Sequence, residues 1–303
     1  MSMPSWTPSI INENRPLSPF TTLKVGGSGR YVAIVRSVEE LKEVLSFYRT
    51  VDLPLFVLGR GSNLVMGSGL IQAFFIVNQI QGIELGNGLV KVGSGVNVSY
   101  LSQKVAKMGF GGLEFFSGIP GTVGGSILMN AGAQNRETKD ALVEVVTLDF
   151  QGKEHRYLAQ DLVFEYRKSP FKGKKEIVVE ATFRLTPDLE AEVKRGAILE
   201  KRLATQPYTA PTAGCMFKNP AGLSAGQLID QAGLKGFQIG GVRVSKKHAN
   251  FFENINNATA ENVLELVEVV RYRVKNTTGI ELELEVIPCF MTYIPTQPLP
   301  MES

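Results

Sequence analysis

Two glycine-rich segments of this 303-residue chain have the residue types and spacing of a ligand-binding site. The first, Gly59-Arg60-Gly61-Ser62-Asn63, directly follows a short apolar run at Leu55–Leu58. Bare backbone N–H groups form a concavity that suits phosphate oxygens, and the Ser62 hydroxyl and Asn63 amide add donors. The third glycine of the dinucleotide-binding fingerprint and the Gly-Lys-Ser/Thr of a P-loop are both missing. Alone, this segment predicts either a phosphate site or a tight turn.

The second segment runs from Gly111 to Ala133 and is more specific. Its glycines are interleaved with apolar residues, at positions 111, 112, 118, 121, 124, 125 and 132. Such a pattern is unlike a flexible linker and indicates that something approaches the backbone closely. A flat ring system with a pyrophosphate tail fits better than another strand, and glycine-rich core packing is the alternative.

Three further positions could do chemistry. The planar guanidinium of Arg167 is suited to gripping a carboxylate, although a surface arginine in a basic stretch is the alternative. Cys215 lies in a Gly-Cys-x-Phe-Lys-Asn-Pro turn, whereas a free cysteine is more often a small core residue. The glutamates at 281, 283 and 285 alternate with apolar residues, which predicts a half-buried strand from Ile280 to Ile287. The pattern alone does not choose among these carboxylates.

Taken in order, these motifs resemble the UDP-N-acetylenolpyruvoylglucosamine reductase family. The resemblance rests on the two glycine segments and on the motifs at 164–169, 214–220 and 282–286, and it covers roughly residues 14–290. The family belongs to the FAD-binding class of the vanillyl-alcohol-oxidase (PCMH) type. The resemblance therefore implies FAD in the glycine segments and NADPH as the reductant. Neither histidine follows the first glycine segment, so we expect the FAD to be held noncovalently.

The resemblance places the FAD contacts on both glycine segments. The expected cofactor-binding residues are Gly59, Gly61, Ser62, Asn63, Ser117, Gly118, Ile119, Pro120, Gly121, Thr122, Gly124, Gly125, Ser126, Asn130 and Ala131.

The family reduces the enolpyruvyl ether of UDP-N-acetylglucosamine to UDP-N-acetylmuramate in peptidoglycan synthesis, and the resemblance assigns three catalytic residues. Arg167 and Glu285 would stabilise the enolic carboxylate, and Cys215 would protonate C2. Most of the family has serine at this last position. A thiol with an ordinary pKa of about 8.5 is mostly protonated near neutral pH and is a stronger acid than a hydroxyl, so proton donation is preserved.

Substrate contacts are expected from Asn219, which corresponds to a substrate-binding asparagine of the family, and from its neighbour Lys218, a natural phosphate partner. His248 is also expected to contact substrate, because it lies where the resemblance places contacts of the substrate domain. A solvated lysine is the alternative for Lys218, and a capped loop residue is the alternative for His248. One branch of the family carries an inserted loop whose tyrosine covers the substrate diphosphate. The stretch from Asn135 to Leu142 contains no tyrosine, so the chain resembles the shorter branch. What closes over the substrate is left open by the sequence.

The fold that must position these residues is predicted to be α+β. Short strand signals alternate with helical ones up to Thr186-Pro187, and a charged helical stretch, Leu189 to Thr205, then leads into a second part. With the resemblance, this predicts a two-lobed FAD-binding domain at 1–188, with lobes of about 1–70 and 71–188. A substrate-binding α+β domain follows at 189–303, and its C-terminal strand returns to the active site.

Composition excludes several classes of protein. The chain has 32 Lys and Arg against 29 Asp and Glu, which argues against a nucleic-acid partner. No apolar run reaches membrane-spanning length, and the two cysteines and the start of the chain favour a cytoplasmic protein. His155 and His248 lack identifiable carboxylate partners, so we predict no metal site.

Two other functions stay open at this point. One is a different FAD enzyme of the same class, oxidising a hydroxy acid or an aldonolactone. The other is a nucleotide-binding module without chemistry.

Overall fold

Six α-helices lie within residues 7–289, the part of the chain that the computed structural model describes. The ends of both predicted domains, 1–6 and 290–303, lie outside it. The helices are α1 (Val38–Tyr48), α2 (Val98–Lys107), α3 (Val123–Leu128), α4 (Ala191–Thr205), α5 (Ala225–Gln231) and α6 (Ala260–Thr278). None of them combines the length and the apolar composition that a membrane crossing requires.

The same residues form eighteen strands, many of them short. They are β1 (Ile11–Pro16), β2 (Ser28–Val35), β3 (Leu55–Leu58), β4 (Leu64–Met66), β5 (Leu70–Asn78), β6 (Ile83–Gly86), β7 (Leu89–Gly93), β8 (Phe110–Gly111), β9 (Gly132–Ala133), β10 (Arg136–Glu137), β11 (Leu142–Asp149), β12 (Glu154–Leu158), β13 (Glu176–Arg184), β14 (Thr186–Pro187), β15 (Gln238–Ile239), β16 (Val242–Val244), β17 (Phe252–Asn254) and β18 (Ile287–Cys289). The mixed helix and strand content is that of the predicted α+β class.

The first sheet positions the first glycine segment. Its strand order is β1-β2-β5-β3, with β2 and β3 both parallel to β5. The segment 73–78 of β5 is buried throughout, because the sheet is covered on both faces. The residues 59–63 follow the carboxyl end of β3, where open parallel sheets place their ligand sites.

A second sheet, β12-β11-β13-β7-β6, is antiparallel throughout. The apolar side chains of β13 divide between two hydrophobic cores, because successive residues of a strand face opposite sides. A register shift against β11 between Val178 and Glu180 displaces this alternation by one residue. Val178 and Ala181 pack with α2 and the Phe115–Phe116 pair, whereas Ile177 and Val179 pack against the first sheet. The two sheets therefore share a core.

The third layer consists of α5, α6 and the three-stranded sheet β15-β16-β17. Thr259 caps α6 through its side chain, and Gly279 ends the helix with a left-handed backbone. The buried face of α6 carries Val263, Leu266, Val267, Val270 and Val274.

One sequence-based assignment is wrong. The predicted strand from Ile280 to Ile287 forms no continuous ladder; a single bridge joins Leu284 to Phe217, and β18 begins only at Ile287. The alternation itself is present, since Leu282 and Val286 are buried while Glu281 and Glu283 are exposed. Beyond it, β18 runs parallel to β4, which brings this part of the chain next to the first glycine segment.

Candidate active site

A cavity of about 450 Å³ lies where the three layers meet. Each layer contributes one wall: residues 59–64 from the first, residues around 118–132 from the second, and residues 206–215 with Phe251 from the third. Arg167, Cys215 and Glu285, which are far apart in sequence, all line it. The structure thus brings the three predicted catalytic residues to one cavity.

The first glycine segment is joined to the chain that carries Glu285. The Asn63 amide donates to the Glu285 carbonyl at 3.1 Å, and the Ile287 N–H donates to the Asn63 carbonyl at 2.9 Å. Asn63 thereby fixes the backbone of Glu285 against the cavity wall.

The absence of a side chain has a different physical reason in each of the two glycine segments. A Cβ on Gly59 would overlap the Thr122 hydroxyl, and one on Gly61 would overlap the Phe20 carbonyl, so both glycines are required by packing within the protein. Gly61 also has a φ of 58°, in the left-handed region. At Gly121, by contrast, a Cβ would have no neighbour closer than the Ile119 methyl at 3.8 Å and would occupy the cavity.

Part of the second segment faces the cavity through α3, a short helix that the sequence did not predict. Thr122 caps it, its hydroxyl accepting from the Gly125 N–H at 3.3 Å. Of the fifteen residues expected to contact the cofactor, twelve line the cavity: Gly59, Gly61, Ser62, Asn63, Gly118, Ile119, Pro120, Gly121, Thr122, Gly125, Ser126 and Ala131. Ser117, Gly124 and Asn130 lie behind this wall, and Ser117 and Asn130 are fully buried.

Arg167 is presented by a two-residue hairpin turn closed by backbone hydrogen bonds between Glu165 and Lys168. Its guanidinium Nε donates to the Glu285 carboxylate at 2.8 Å, and the two side chains are only 19% and 14% exposed. Burial opposes the charge on Arg167, but Glu285 outweighs it and the pKa of Arg167 is raised. Burial also raises the pKa of the Glu285 carboxyl, against the pull of Arg167. The pair is a partly desolvated ion pair at the cavity surface.

Cys215 is held in the wall by a bridge to Phe251, and the next residue, Met216, pairs with the chain at Glu285. Burial raises the pKa of its thiol to about 12; Glu285 adds to the rise, while Arg167 and Arg202 oppose it. The group is therefore a thiol at neutral pH and holds a proton that it can donate.

The three residues expected to contact substrate lie outside the lining of this cavity. The ammonium of Lys218 is paired with Glu283, and the Asn219 side chain accepts from the Ala225 N–H at 3.0 Å. His248 packs against Phe251, with ring centroids 4.8 Å apart, and burial lowers its pKa. Their substrate contacts stay a prediction.

Sequence analysis missed a polar group that borders the cavity from the segment after α4. The Tyr208 hydroxyl donates to the Gly118 carbonyl at 2.6 Å and accepts from the Arg202 Nε at 3.2 Å. Both residues line the cavity, and Arg202 has no ion-pair partner among residues 7–289. A Pro207 that breaks the helix was visible in the sequence, but only the fold shows that the segment turns back over the second glycine segment.

Comparison with known proteins agrees with this geometry. Residues 206–288 match the model of the UDP-N-acetylenolpyruvoylglucosamine reductase C-terminal domain, and residues 29–157 match an FAD binding domain. The chain is 44% identical to the UDP-N-acetylenolpyruvoylglucosamine reductase of Chlamydia muridarum, over 96% of this chain and 97% of the relative. It is 43% identical to that of Protochlamydia amoebophila, over 94% and 96%.

A solved structure is also similar: the UDP-N-acetylenolpyruvylglucosamine reductase (MurB) from Thermus caldophilus. The TM-score is 0.78 and the sequence identity 37%, over 92% of this chain and 98% of that one. The motifs, the cavity and these relatives agree, and the chain belongs to the UDP-N-acetylenolpyruvoylglucosamine reductase family.

Proposed function

We propose that this protein uses NADPH and noncovalently bound FAD to reduce UDP-N-acetylglucosamine enolpyruvate to UDP-N-acetylmuramate, in the cytoplasm and for peptidoglycan synthesis. The observation that carries the proposal is the meeting of the Arg167–Glu285 ion pair and the Cys215 thiol in one cavity. The other walls of that cavity are the two glycine segments. The described chain has two free cysteines and no disulfide, which supports a reducing compartment.

The cavity fits FAD because bare backbone opens onto it at Gly121 and Gly125, and because the matched FAD binding domain supplies two of its walls. When bound, FAD would supply the hydride transfer from NADPH to the enolpyruvyl carbon C3. All other requirements fall on side chains of this chain.

Arg167 and Glu285 form the charged side of the proposed reaction centre. Hydride addition at C3 leaves negative charge at C2 that spreads into the substrate carboxylate. The raised pKa of Arg167 keeps its guanidinium charged, so it stabilises this charge as it develops. Glu285 orients the guanidinium through Nε, which leaves the two terminal nitrogens of Arg167 available for the substrate.

Cys215 holds the proton that the substrate needs. Its thiol stays protonated because burial and Glu285 raise its pKa. As negative charge reaches C2, the thiol donates its proton there, and the neighbouring cations Arg167 and Arg202 stabilise the resulting thiolate.

Adding a side chain at Gly121 is the first test of the cofactor site. We expect Gly121→Val to fold normally and to bind FAD about 10- to 100-fold more weakly, because the new methyl groups occupy the cavity. Gly61→Ala is the control for packing: it should lower the free energy of unfolding by about 1–3 kcal/mol, since it strains the backbone and overlaps Phe20. Fluorescence titration and urea unfolding measure the two effects. Normal FAD affinity in the valine variant would contradict the placement.

Arg202 lines the cavity and has no ion-pair partner within residues 7–289, and both proposed substrates carry a diphosphate. We expect Arg202→Gln to raise the KM for NADPH and for the enolpyruvyl substrate by about tenfold, because it removes binding that ground and transition states share. The value of kcat should fall only slightly, because Arg167 is the stronger of the two cations that stabilise the Cys215 thiolate. Lys201→Gln, a charge change on the exposed face of the same helix, is the matched control and should have no effect. An unchanged KM in the Arg202 variant would exclude this role.

The activity itself is tested in two half-reactions. Purified protein reconstituted with FAD should be yellow, should be bleached by NADPH without air, and should regain its colour on adding UDP-N-acetylglucosamine enolpyruvate. Bleaching by a hydroxy acid or aldonolactone but not by NADPH would instead identify an oxidase. Protein that takes up no FAD would be a binding module without this chemistry.

A further inference from the structure

Asn130 lies behind the cavity wall, fully buried, at the end of α3. Its amide nitrogen donates to the Glu137 carboxylate at 2.9 Å and to the Glu165 carbonyl at 3.1 Å, and its amide oxygen accepts from the Lys139 N–H at 3.2 Å. Its φ of 40° is in the left-handed region, which asparagine tolerates better than most residues. The side chain is fully used within the protein and makes no part of the cavity surface.

The Glu165 carbonyl also belongs to the turn that carries Arg167. It accepts from the Lys168 N–H at 3.1 Å, and the reciprocal bond runs from the Glu165 N–H to the Lys168 carbonyl at 3.1 Å. One oxygen therefore closes the hairpin and anchors it to Asn130. The hydrogen bond from the Asn130 amide to the Glu165 carbonyl ties the hairpin to the end of α3, which lines the cavity.

Arg167 itself has a φ of 57°, which is unfavourable for a residue with a long side chain. Such a conformation persists only where the surroundings over-determine it. Here the supports are the hairpin bonds, the Glu285 ion pair, the Tyr166 ring at 4.9 Å from the guanidinium carbon, and the anchor to Asn130.

We propose that Asn130 is a positioning residue for Arg167, acting through the Glu165 carbonyl, rather than a contact of the cofactor. The inference rests on the proposed function, because it takes Arg167 as the group that stabilises charge on the substrate. Without the Asn130 amide the strained turn has one anchor fewer, and the guanidinium is displaced from the substrate carboxylate.

The test compares three quantities in Asn130→Gly, which permits the left-handed backbone and removes the side chain. We expect reoxidation of the flavin by the enolpyruvyl substrate to slow by about 10- to 100-fold, as for a group misplaced by about 1 Å. Flavin reduction by NADPH and the dissociation constant of FAD should stay unchanged. Asn130→Ser, which keeps one hydrogen-bonding oxygen, is the milder variant to use if the glycine variant does not fold.

Asn78 provides a matched control. It is similarly buried, its amide donates to Ser94 and to the Val178 carbonyl, and its oxygen accepts from the Ile80 N–H. Asn78→Ala should lower stability without slowing flavin reoxidation. If both asparagine variants slowed both half-reactions, or if Asn130→Gly weakened FAD binding, Asn130 would have a general structural role and the proposal would be wrong.

A double-mutant cycle separates this proposal from the proposed function. In an Arg167→Ala background, Asn130→Gly should cause no further slowing, because the two residues act as one unit. If the two substitutions slowed reoxidation independently, so that their fold-changes multiplied in the double variant, the positioning role would be wrong. If Arg167→Ala alone did not slow reoxidation, the assigned role of Arg167 would be wrong. If Arg167→Ala slowed reoxidation but Asn130→Gly did not, only the positioning role of Asn130 would be wrong.

Discussion

Cys215→Ala is expected to leave flavin reduction by NADPH nearly unchanged and to slow flavin reoxidation by the enolpyruvyl substrate by about 10²–10⁴-fold. Only the second half-reaction needs a proton at C2, and a positioned general acid contributes on this scale. Rapid-mixing absorbance measurements of each half-reaction, without air, separate the two rates. Equal loss in both would remove Cys215 from the role of proton donor.

Two further variants show whether the thiol acts only as a proton donor. Cys215→Ser should retain activity, because a hydroxyl in the same place still holds a proton at neutral pH. Cys289→Ala is the matched control: that cysteine is 2% exposed, burial raises its pKa to about 11, and it does not line the cavity. An inactive serine variant would show that the lower intrinsic pKa of the thiol is itself required.

The high pKa of Cys215 predicts how this thiol differs from the nucleophilic cysteines of other enzymes. Thiolates react with oxidants and alkylating agents, and those active sites lower the thiol pKa to form them. Burial and Glu285 do the opposite here, raising it to about 12. The sulfur therefore stays a thiol at neutral pH, and we expect it to react more slowly with oxidants and alkylating agents than those cysteines do.

Local patterns in the sequence predict those parts of the fold that depend on local interactions. Ser37 followed three residues later by Glu40 predicts the start of a helix, and Ser37 caps α1 through the Glu40 N–H. The apolar run Leu55–Leu58 predicts a short buried strand and forms β3. Thr259 and the spacing of the apolar residues from Val263 to Val274 predict a long helix with one buried face, and α6 has that face. In each case the periodicity or the cap acts within one turn or one strand, so the neighbouring residues suffice.

Features that depend on distant partners could not be predicted in the same way. The glycines around 123–128 predicted a close approach to the backbone and gave no helix signal, but α3 forms there because Thr122 caps it and because Gly124 packs against Ser94. The glutamate row predicted a strand, yet its backbone partners are split between Met216, Lys218 and Asn63. Only these long-range bonds place Glu285, rather than Glu281 or Glu283, opposite Arg167. From the sequence, that choice could be made only through the family resemblance.

The packing also divides the glycines into two kinds that the sequence does not distinguish. Gly59 and Gly61 are required because protein atoms lie where a Cβ would be. Gly121 is needed only if a ligand fills the adjacent space. The first kind preserves the shape of the cavity, and the second kind preserves its volume.

Arg167→Ala is expected to slow flavin reoxidation by the enolpyruvyl substrate by about 10²–10³-fold, the scale for removing one preorganised group that stabilises developing charge. Flavin reduction should change little, because hydride loss from NADPH develops positive charge on the nicotinamide and not the negative charge that this guanidinium stabilises. Without the guanidinium, Glu285 loses the interaction that opposes the rise in its pKa, so its carboxyl should protonate at a higher pH. The rate of flavin reoxidation in the Arg167→Ala variant should therefore depend on pH in the range where Glu285 becomes protonated. The wild-type rate should stay constant over the same range.

Stability gives an independent check on the same pair. Glu285→Ala leaves the Arg167 guanidinium, 19% exposed, without its carboxylate, and we expect a loss of about 3 kcal/mol in the free energy of unfolding. Removing both partners leaves no uncompensated charge, so the double variant should be more stable than Glu285→Ala alone, although it should be no more active. Urea unfolding of the two single variants and the double variant measures the coupling. Additive losses of stability would mean that the two side chains do not interact in solution, and Glu285 would then have to act on the substrate directly rather than by holding Arg167.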